Sequence, residues 1–381
     1  MEQLLENKLN EISSLMESSQ NILLFYDDDT DGLTSYYILR DSFNNIKQSF
    51  PYVKNNKKQS FLLSQIDYDG VDLVLFVDLA DIDEYFLEHF KDKKIIIIDH
   101  HVPNYNSFIE KYDITYFNPL NFDSKDNRPA CYWSWYLSGC KNSQLLNVVL
   151  GSVSDFFLLP VIKDLKTYDE TSFYTLFPFI DNNQEKKLFD SLDGISWKEE
   201  EWIRYLTYDA GLIEFKNFFD FIFKMEDYKD ILRSLSNIEG LDLSQIKEHI
   251  DSGKNFPFSR YYQQKKEVEK HLDEALNQES SRFFLYEYRG NESYTRAISE
   301  ELMHRKSDCE IVMVCYKKIR SNYYSCSLRS RQVDLNYLIK KSLNGLDGNG
   351  GGHKHAAGLR IKKVDYQEFL EKFSYILENE F

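Results

Sequence analysis

The most informative stretch of the sequence is Asn21-Ile22-Leu23-Leu24-Phe25-Tyr26-Asp27-Asp28-Asp29-Thr30-Asp31-Gly32. Its first half is a largely apolar run that predicts a buried strand, and four aspartates follow within five positions. Carboxylates this close repel one another unless a positive charge lies among them, and hard divalent cations with oxygen ligands usually supply that charge. Since Asp and Gly also form turns, the segment by itself fits a solvated acidic turn equally well.

Two further apolar runs end in residues of the same chemistry. The first is Leu73-Val74-Leu75-Phe76-Val77-Asp78, and the second is Ile95-Ile96-Ile97-Ile98-Asp99-His100-His101. Four consecutive isoleucines suit a strand that is buried on both faces, as in a parallel sheet. Open α/β sheets bind ligands just beyond the carboxyl ends of their strands, so these three strand ends together predict a metal site there.

A fourth apolar run, residues 148–154, is followed by Asp155. Taken singly, Asp155 fits an ordinary cap or turn residue. Beside the other three runs, we interpret it as a further metal ligand.

Together these segments resemble the DHH phosphoesterase superfamily. The Asp-x-Asp-x-Asp-Gly form of residues 27–32, followed by Leu33-Thr34-Ser35, is most similar to the RecJ exonucleases and their archaeal relatives. The nanoRNase and pyrophosphatase branches usually begin this motif with His. The other motifs of the catalytic domain match Asp78, Asp99-His100-His101 and Asp155.

Two elements near the C-terminus extend the resemblance to the DHH-associated domain. Gly350-Gly351-Gly352-His353-Lys354-His355-Ala356-Ala357-Gly358 is similar to its GGGH…AAG element, and Ser325-Cys326-Ser327-Leu328-Arg329-Ser330 resembles its serine-arginine strand. Consecutive glycines also allow backbone N–H groups to approach an anion closely. The substrate-binding residues implied are Arg329, Ser330, Gly350, Gly351, Gly352, His353 and His355.

The resemblance also implies a site for two divalent metal ions, with Mn²⁺ preferred for a mixed carboxylate and imidazole set and Mg²⁺ as the alternative. The implied ligands are Asp27, Asp29, Asp31, Asp78, His100 and Asp155. Asp78, alone at the end of a central strand, is the natural ligand to be shared by both ions. Asp27 and Asp29 would complete one metal site, and Asp31, His100 and Asp155 would complete the other. The sequence leaves open how Asp27, Asp29 and Asp31 are divided between the two metals.

Two residues of the third motif are implied to act without binding metal. His101 would contact the scissile phosphate as a transition-state stabiliser, and Asp99 would orient an imidazole. These two residues are therefore the catalytic candidates.

The sequence as a whole predicts an α/β protein. The predicted parts are a parallel-sheet catalytic domain at 1–255, mostly helical from 160 onward, a charged connecting helix at 256–280, and a smaller α/β DHH-associated domain at 281–381. The aromatic run around Phe215–Phe223 fits a helical core stripe better than a base-stacking surface. In the last domain, strands separated and followed by helices are predicted at Arg282–Tyr288, Cys309–Tyr316 and Tyr323–Leu328.

The distribution of charge bears on the substrate. The net charge is −16, yet residues 281–381 hold 17 Lys and Arg against 13 Asp and Glu, so the remainder carries −20. Such an acidic chain is unsuited to a long, nonspecific grip on duplex DNA, which needs many phosphate contacts. A single strand or a short oligonucleotide, bound mainly by the C-terminal domain, fits better.

The composition predicts a cytoplasmic protein. No apolar stretch reaches 18 residues and the N-terminal segment is polar, so we expect neither a membrane span nor a signal peptide. The five cysteines, at positions 131, 140, 309, 315 and 326, show no C-x-x-C spacing. Because they lie in apolar contexts, we expect reduced, buried thiols.

These observations predict a RecJ-like exonuclease that degrades single-stranded DNA or RNA from one end to nucleoside monophosphates. Its implied partners are that nucleic acid and proteins of replication or DNA repair. The first alternative is a nanoRNase-like or cyclic-dinucleotide phosphodiesterase, because the chain has no room for the extra oligonucleotide-binding domain of bacterial RecJ. The second is a non-catalytic replication scaffold, but such scaffolds lose metal ligands that this sequence keeps.

Overall fold

The computed structural model describes residues 2–79, 81–102, 109, 111–126, 128–155, 157, 160–177, 180–191, 211–290, 292–352 and 354–381. Contacts divide the chain into two compact units, Met1–Phe258 and Ser259–Phe381. Of the residues predicted to bind substrate, His353 lies outside the described ranges.

A five-stranded parallel sheet forms the centre of the first unit, in the order β2-β1-β3-β4-β5. The strands are β1 Ile22–Asp27, β2 Ile46–Tyr52, β3 Leu73–Val77, β4 Lys94–Ile98 and β5 Ile114–Phe117. The three central strands are buried almost throughout, which explains why each reads as a continuous apolar run. Since all five strands run in parallel, their carboxyl ends meet at one edge of the sheet.

Helices connect and cover these strands. The α-helices of the first unit are α1 Glu2–Ser18, α2 Thr30–Ser42, α3 Asn56–Leu63, α4 Glu84–Glu88, α5 Ala130–Leu137, α6 Leu145–Ser154, α7 Val161–Tyr168, α8 Glu170–Leu176, α9 Asn182–Ser191, α10 Gly211–Phe223, α11 Tyr228–Ile238 and α12 Leu243–Ser252. The middle of the chain is helical where it is described, as predicted. Phe215, Phe218, Phe219 and Phe223 of α10 are buried, so they belong to the core.

The second unit is a mixed five-stranded sheet with helices on both faces, in the order β6-β7-β8-β10-β9. Its elements are α13 Phe258–Leu276, β6 Phe283–Gly290, α14 Thr295–Arg305, β7 Ile311–Lys318, β8 Tyr323–Ser330, α15 Leu335–Ser342, β9 Gly348–Gly352, β10 Ala356–Lys362 and α16 Tyr366–Glu380. One face packs against α13 and α14, and the opposite face packs against α15 and α16. The two units together confirm the predicted α/β fold class. The helix predicted as a connector is α13, and Leu272 and Ala275 bury it against the second sheet.

The structure has two strands in the second unit that the sequence pattern does not predict, β9 and β10. β9 is Gly348-Asn349-Gly350-Gly351-Gly352, a composition typical of a turn. Antiparallel pairing with β10 holds it in the sheet. The missing Cβ atoms allow α15 to lie close, since a Cβ at Gly350 would come within 2.7 Å of Cγ2 of Ile339. The glycine run is therefore an edge strand packed against a helix.

The cysteines differ in part from expectation. Cys315 and Cys326 lie opposite each other on β7 and β8 and form a disulfide, with Cα atoms 4.1 Å apart. Cys140 is free and exposed, whereas Cys131 and Cys309 are free and buried. The expectation of reduced, buried thiols thus holds for two of the five. Across the described residues, no helix combines the length and apolar character needed to cross a membrane.

Candidate metal centre

The first motif spans the end of β1 and the start of α2. Asp27 is the last residue of β1, and Asp29 caps α2 by accepting a hydrogen bond from the N–H of Gly32 at 3.0 Å. A Cβ at position 32 would lie 2.6 Å from both the backbone N and O of Asp27. Glycine at this position therefore lets the helix begin directly beside the strand, which brings the aspartates together.

Asp31 is more deeply buried than the three aspartates before it. It is fully buried, and its two carboxylate oxygens accept hydrogen bonds from the backbone N–H groups of Ala130 (2.8 Å) and Cys131 (2.9 Å). These groups belong to the first turn of α5, where N–H groups lack partners within the helix. The contact fixes Asp31 to a helix about 100 residues away from it in sequence.

Asp78 follows β3 with an unusual backbone. Its φ is 65°, in the left-handed region, and its N–H donates to the carbonyl of Ile98 at 2.8 Å. Both of its carboxylate oxygens are buried and lack a hydrogen bond. Such orphaned acceptors at the centre of the site fit a metal ligand.

His100 joins the third motif to the others. Its Nε2 lies 2.9 Å from Oδ2 of Asp155, 3.2 Å from Oδ1 of Asp78 and 3.7 Å from Oδ2 of Asp31. Asp155 follows α6, so the fourth apolar run is a helix that delivers its carboxylate from beside the sheet. Nε2 of His100 is buried without a well-formed hydrogen bond, a second orphaned donor atom in the site.

The predicted ligands form overlapping groups that could hold metal ions. In each group the ligand atoms lie within 4.8 Å of one another. Asp27, Asp29 and Asp78 form one group, and Asp31, His100 and Asp155 form another. The resemblance implies the same division, which remains a prediction. His100 lies against Asp78, so the two groups adjoin. Carboxylate and imidazole donors with unsatisfied buried atoms fit Mn²⁺ or Mg²⁺.

The electrostatics of the cluster favour a cation. Burial and then the charges of Asp155 and Asp31 raise the pKa of Asp29 to about 7. Burial followed by Asp31 and Asp29 raises the pKa of Asp78 well above its usual value. Burial alone would lower the pKa of His100, but the close carboxylates of Asp155 and Asp78 outweigh burial and raise that pKa. Without positive charge among them, these carboxylates tend to hold protons.

His101 has a different environment from His100. Its Nδ1 lies 2.8 Å from Oδ1 of Asp99, and its side chain is 38% exposed, against 9% for His100. A further grouping of Asp78, His100 and His101 would also allow His101 to bind metal. Nδ1 of His101 is 3.8 Å from Oδ1 of Asp78 and lies closer to Asp99, so the contact with Asp99 sets the orientation of the ring. The role of His101 toward substrate remains a prediction.

Asn118 is part of this arrangement and was not predicted. It is fully buried just after β5, and its Nδ2 donates to the carbonyl of His101 at 2.7 Å and to Oδ2 of Asp99 at 3.4 Å. The signal that finds it is the rule already used for the other strands, a polar residue at the carboxyl end of a parallel strand.

Two cations also lie beside the cluster, one in α3 and one directly after α10. Burial raises the pKa of Asp28, and Lys58 and then Lys224 oppose that rise, so both lysines lie near its carboxylate. Lys58 of α3 donates to the carbonyl of Met225 at 2.6 Å, and Nζ of Lys224 is 3.5 Å from Oδ2 of Asp220. No local pattern in the sequence identifies these lysines.

The substrate-binding residues predicted in the second unit gather at one end of its sheet. The strand register places Arg329 opposite Ala356 and Gly352 opposite Ala357, and the N–H of Ser330 donates to the carbonyl of His355. The Arg329 guanidinium contacts Oε1 of Glu300 at 2.5 Å. Gly350 and Gly351 lie in β9 against α15. Their role in binding remains a prediction.

Comparison with protein families agrees with this architecture. Residues 21–141 match the model of the DHH family, N-terminal domain, and residues 283–379 match that of the DHHA1 domain. The chain therefore belongs to the DHH family of phosphoesterases, with a DHHA1 domain following the catalytic one. No significant match is found among curated proteins.

Solved structures show the same fold. A DHH-domain protein described as a member of a family of ribosomal proteins aligns with a TM-score of 0.60 and 16% identity, covering 99% of this chain and 92% of that one. RecJ from Thermus thermophilus in complex with Mn²⁺ aligns with a TM-score of 0.58 and 15% sequence identity, covering 97% of this chain and 55% of that one. An exonuclease RecJ bound to manganese aligns with a TM-score of 0.58 and 14% sequence identity, covering 98% of this chain and 94% of that one.

Proposed function

We propose that the protein is a metal-dependent phosphodiesterase that acts as a RecJ-like exonuclease, degrading single-stranded DNA or RNA from one end to mononucleotides. The observation that carries the proposal is the convergence of Asp27, Asp29, Asp31, Asp78, His100 and Asp155 into two adjoining groups of ligand atoms. A solvated acidic turn does not explain five carboxylates and an imidazole that converge on one site.

The proposed chemistry is hydrolysis of a phosphodiester. Two divalent cations, when bound, activate water as a nucleophile and offset negative charge on the phosphate. Asp78, at the centre of the site, would hold both, and His100 would be kept neutral and ligating. RecJ of Thermus thermophilus has been solved with Mn²⁺ and with Mg²⁺, which supports either ion here.

The chain's own contribution to the reaction is positioning and charge. Asp99 holds Nδ1 of His101, so the opposite ring nitrogen, Nε2, is available to donate a hydrogen bond to the scissile phosphate. Asn118 keeps Asp99 and the His101 backbone in place. Lys58 and Lys224, on the Asp28 side of the cluster, supply positive charge for a neighbouring phosphate group.

A nucleic-acid substrate is supported by the second unit. Its predicted binding residues gather around one end of β8, β9 and β10, and residues 281–381 carry net positive charge in an otherwise acidic chain. Binding there by several phosphates would favour oligonucleotides over small phosphoesters.

The test is a hydrolysis series on end-labelled DNA and RNA strands of 2 to about 20 nucleotides, with Mn²⁺ or Mg²⁺. We expect stepwise release of mononucleotides from long strands. Asp78→Asn should abolish activity and metal binding, whereas the matched control Asp92→Asn, at an exposed aspartate, should retain both. Efficient hydrolysis of the 2-mer with none of the 20-mer would instead identify a nanoRNase-like enzyme. Hydrolysis by Asp78→Asn at the normal rate would contradict the proposed centre.

A further inference from the structure

Four residue pairs on β8 and β10 share one face of the second sheet. Directly opposite residues of an antiparallel pair project to the same side, and side chains alternate along each strand. The other side chains of these strands, including Cys326, Leu328, Leu359 and Ile361, are buried on the face that packs against α15 and α16. The pairs on the opposite face are Arg329–Ala356, Ser327–Gly358, Ser325–Arg360 and Tyr323–Lys362. We call this set the β8–β10 strip.

The middle of the strip is shallow and open. No atom of the described residues lies within 4 Å of the position that a Cβ would take at Gly358, and Gly358 and Arg360 are exposed. Ser327 and Ser325 are half-buried, and α14 borders the strip through Thr295, whose hydroxyl lies 2.9 Å from that of Ser327. A floor of Gly, Ala and Ser leaves space for an extended chain to lie along the strands.

One end of the strip is strongly basic and partly aromatic. Residues 317–324 and 360–364 contain six cations and no carboxylate. Four of them belong to this end of the strip or to the turn beside it: Lys318, Arg320, Arg360 and Lys362. The Arg360 guanidinium lies over the Tyr323 ring at 4.6 Å. Lys317 belongs to the opposite face, where it lies 5.5 Å from the ring of Tyr324. Among nearby acids, Asp347 is paired with Lys362. This concentration of charge stands out in a chain of net charge −16.

We propose that the β8–β10 strip and the adjoining β7–β8 turn bind the body of a single-stranded nucleic acid. This inference rests on the proposed function for the identity of the polyanion. Six strand steps from Tyr323 to Arg329 span about 20 Å, at about 3.3 Å per residue. Along this path, Tyr323 stacks a base, Arg360 and the turn cations contact phosphates, and the small residues between them allow the backbone to lie close.

The shape of the strip favours nucleic acid over an acidic protein. A protein interface of ordinary strength has a buried apolar or aromatic centre within a polar rim. Here the centre is made of Gly358, Ser325 and Ser327, and the aromatic group stands at the basic end beside an arginine. An aromatic ring beside cations, along a shallow groove, is the pattern that single strands use.

The experiment measures binding of a fluorescent single-stranded 20-mer by anisotropy, in EDTA to prevent hydrolysis and at several salt concentrations. The test variant combines Lys318→Gln, Arg320→Asn and Arg360→Gln, which removes cations of the strip and its turn. Asn is used at position 320 because it accepts the φ of 69° there. The matched control combines Lys266→Gln, Lys270→Gln and Arg305→Gln, which removes the same charge from helices of the same unit.

We expect the test variant to bind the 20-mer about tenfold more weakly, with the slope of log K against log salt reduced by about 2. The control should bind like the unaltered protein. Tyr323→Leu should weaken binding about fivefold without changing the slope, because stacking carries no charge. Equal weakening in test and control variants, or no weakening in either, would overturn the proposal. So would loss of polyglutamate binding in the test variant with unchanged 20-mer binding, which would indicate an acidic protein partner.

Hydrolysis of a 2-mer separates this inference from the function on which it rests. The test variant should lose far less activity on the 2-mer than on the 20-mer, because a 2-mer has a single internucleotide phosphate and gains little from additional cations. If the unaltered protein cleaves no substrate but the three substitutions still weaken binding of the 20-mer, the strip is supported and the hydrolytic function is wrong. If the unaltered protein cleaves its substrates, and the test variant has the same slope of log K against log salt as the unaltered protein, the proposed function is supported and the proposed strip is wrong.

Discussion

At the scale of single residues, the two adjacent histidines illustrate how environment assigns chemistry. Nε2 of His100 is surrounded by carboxylates from three different segments, while His101 is half-exposed and held by Asp99. A buried imidazole among carboxylates suits a metal ligand. An oriented imidazole open to solvent suits contact with substrate.

His101→Ala should therefore lower kcat by about 10²-fold while metal content stays near normal. His100→Ala, its matched neighbour, should lose metal together with activity. Elemental analysis of both purified variants, alongside steady-state kinetics, makes the comparison. Equal metal loss in the two variants would show that His101 is a ligand.

The stability of the metal-free protein should depend on pH through Asp29. Its pKa is raised from the usual 3.8 to about 7 in the folded protein, so between these values the folded state holds a proton that the unfolded state releases. The contribution of Asp29 to the free energy of unfolding is accordingly greatest below about pH 4, and this contribution is lost as the pH rises toward 7. In EDTA, we expect the contribution to lower the melting temperature by at least about 3 °C between pH 5 and pH 8. Saturating Mn²⁺ should reverse the trend, because it binds the deprotonated carboxylates. A melting temperature that rises with pH in EDTA would count against this arrangement.

At the scale of elements, the junction of β1 and α2 depends on Gly32. A methyl group there would meet the backbone of Asp27 at 2.6 Å, which only movement of the helix could relieve. Gly32→Ala should destabilise the protein by about 2 kcal/mol and weaken metal binding at the same time. Gly290→Ala is the control, since the nearest atom to its Cβ would lie 3.7 Å away. Denaturant unfolding and metal titration of both variants test this, and tight metal binding by Gly32→Ala would refute it.

The sequence predicts elements well where one local signal dominates. The isoleucines of β4 and the apolar residues of β3 identify central strands because both faces are buried. It fails where structure depends on distant partners. β9 is a strand only because β10 and α15 hold its glycines, and the pairing of Cys315 with Cys326 follows from a register that no local pattern encodes.

The same distinction applies within the candidate site. The sequence predicts Asp27, Asp78 and His100 as ligands because each lies at or just after the end of a strand of the parallel sheet. The restraint of Asp31 by the N–H groups of α5, and the approach of Lys224, come from long-range packing. The sequence therefore identifies the candidate ligand residues, whereas the contacts that hold them in place are seen only in the folded chain.

At the scale of the whole molecule, the uneven distribution of charge restricts the substrate. With −20 outside residues 281–381, we expect a duplex to gain too few phosphate contacts to offset repulsion. We expect linear single strands to be digested progressively and digestion to stall at a duplex junction. A circular single strand of the same sequence should persist, and its cleavage at the rate of the linear form would exclude an end-directed mechanism. Gel analysis of the three substrates at one salt concentration is sufficient.

The left-handed backbone of Asp78 has a consequence for how the proposed activity would be lost over evolutionary time. Glycine is the residue that its φ of 65° favours, and replacing Asp also removes a buried carboxylate, so Asp78→Gly should raise the melting temperature of the metal-free protein. A lower melting temperature would contradict this. Aspartate and glycine codons differ by one nucleotide. A single mutation can thus yield a stable, inactive descendant, and selection for folding alone would not remove it.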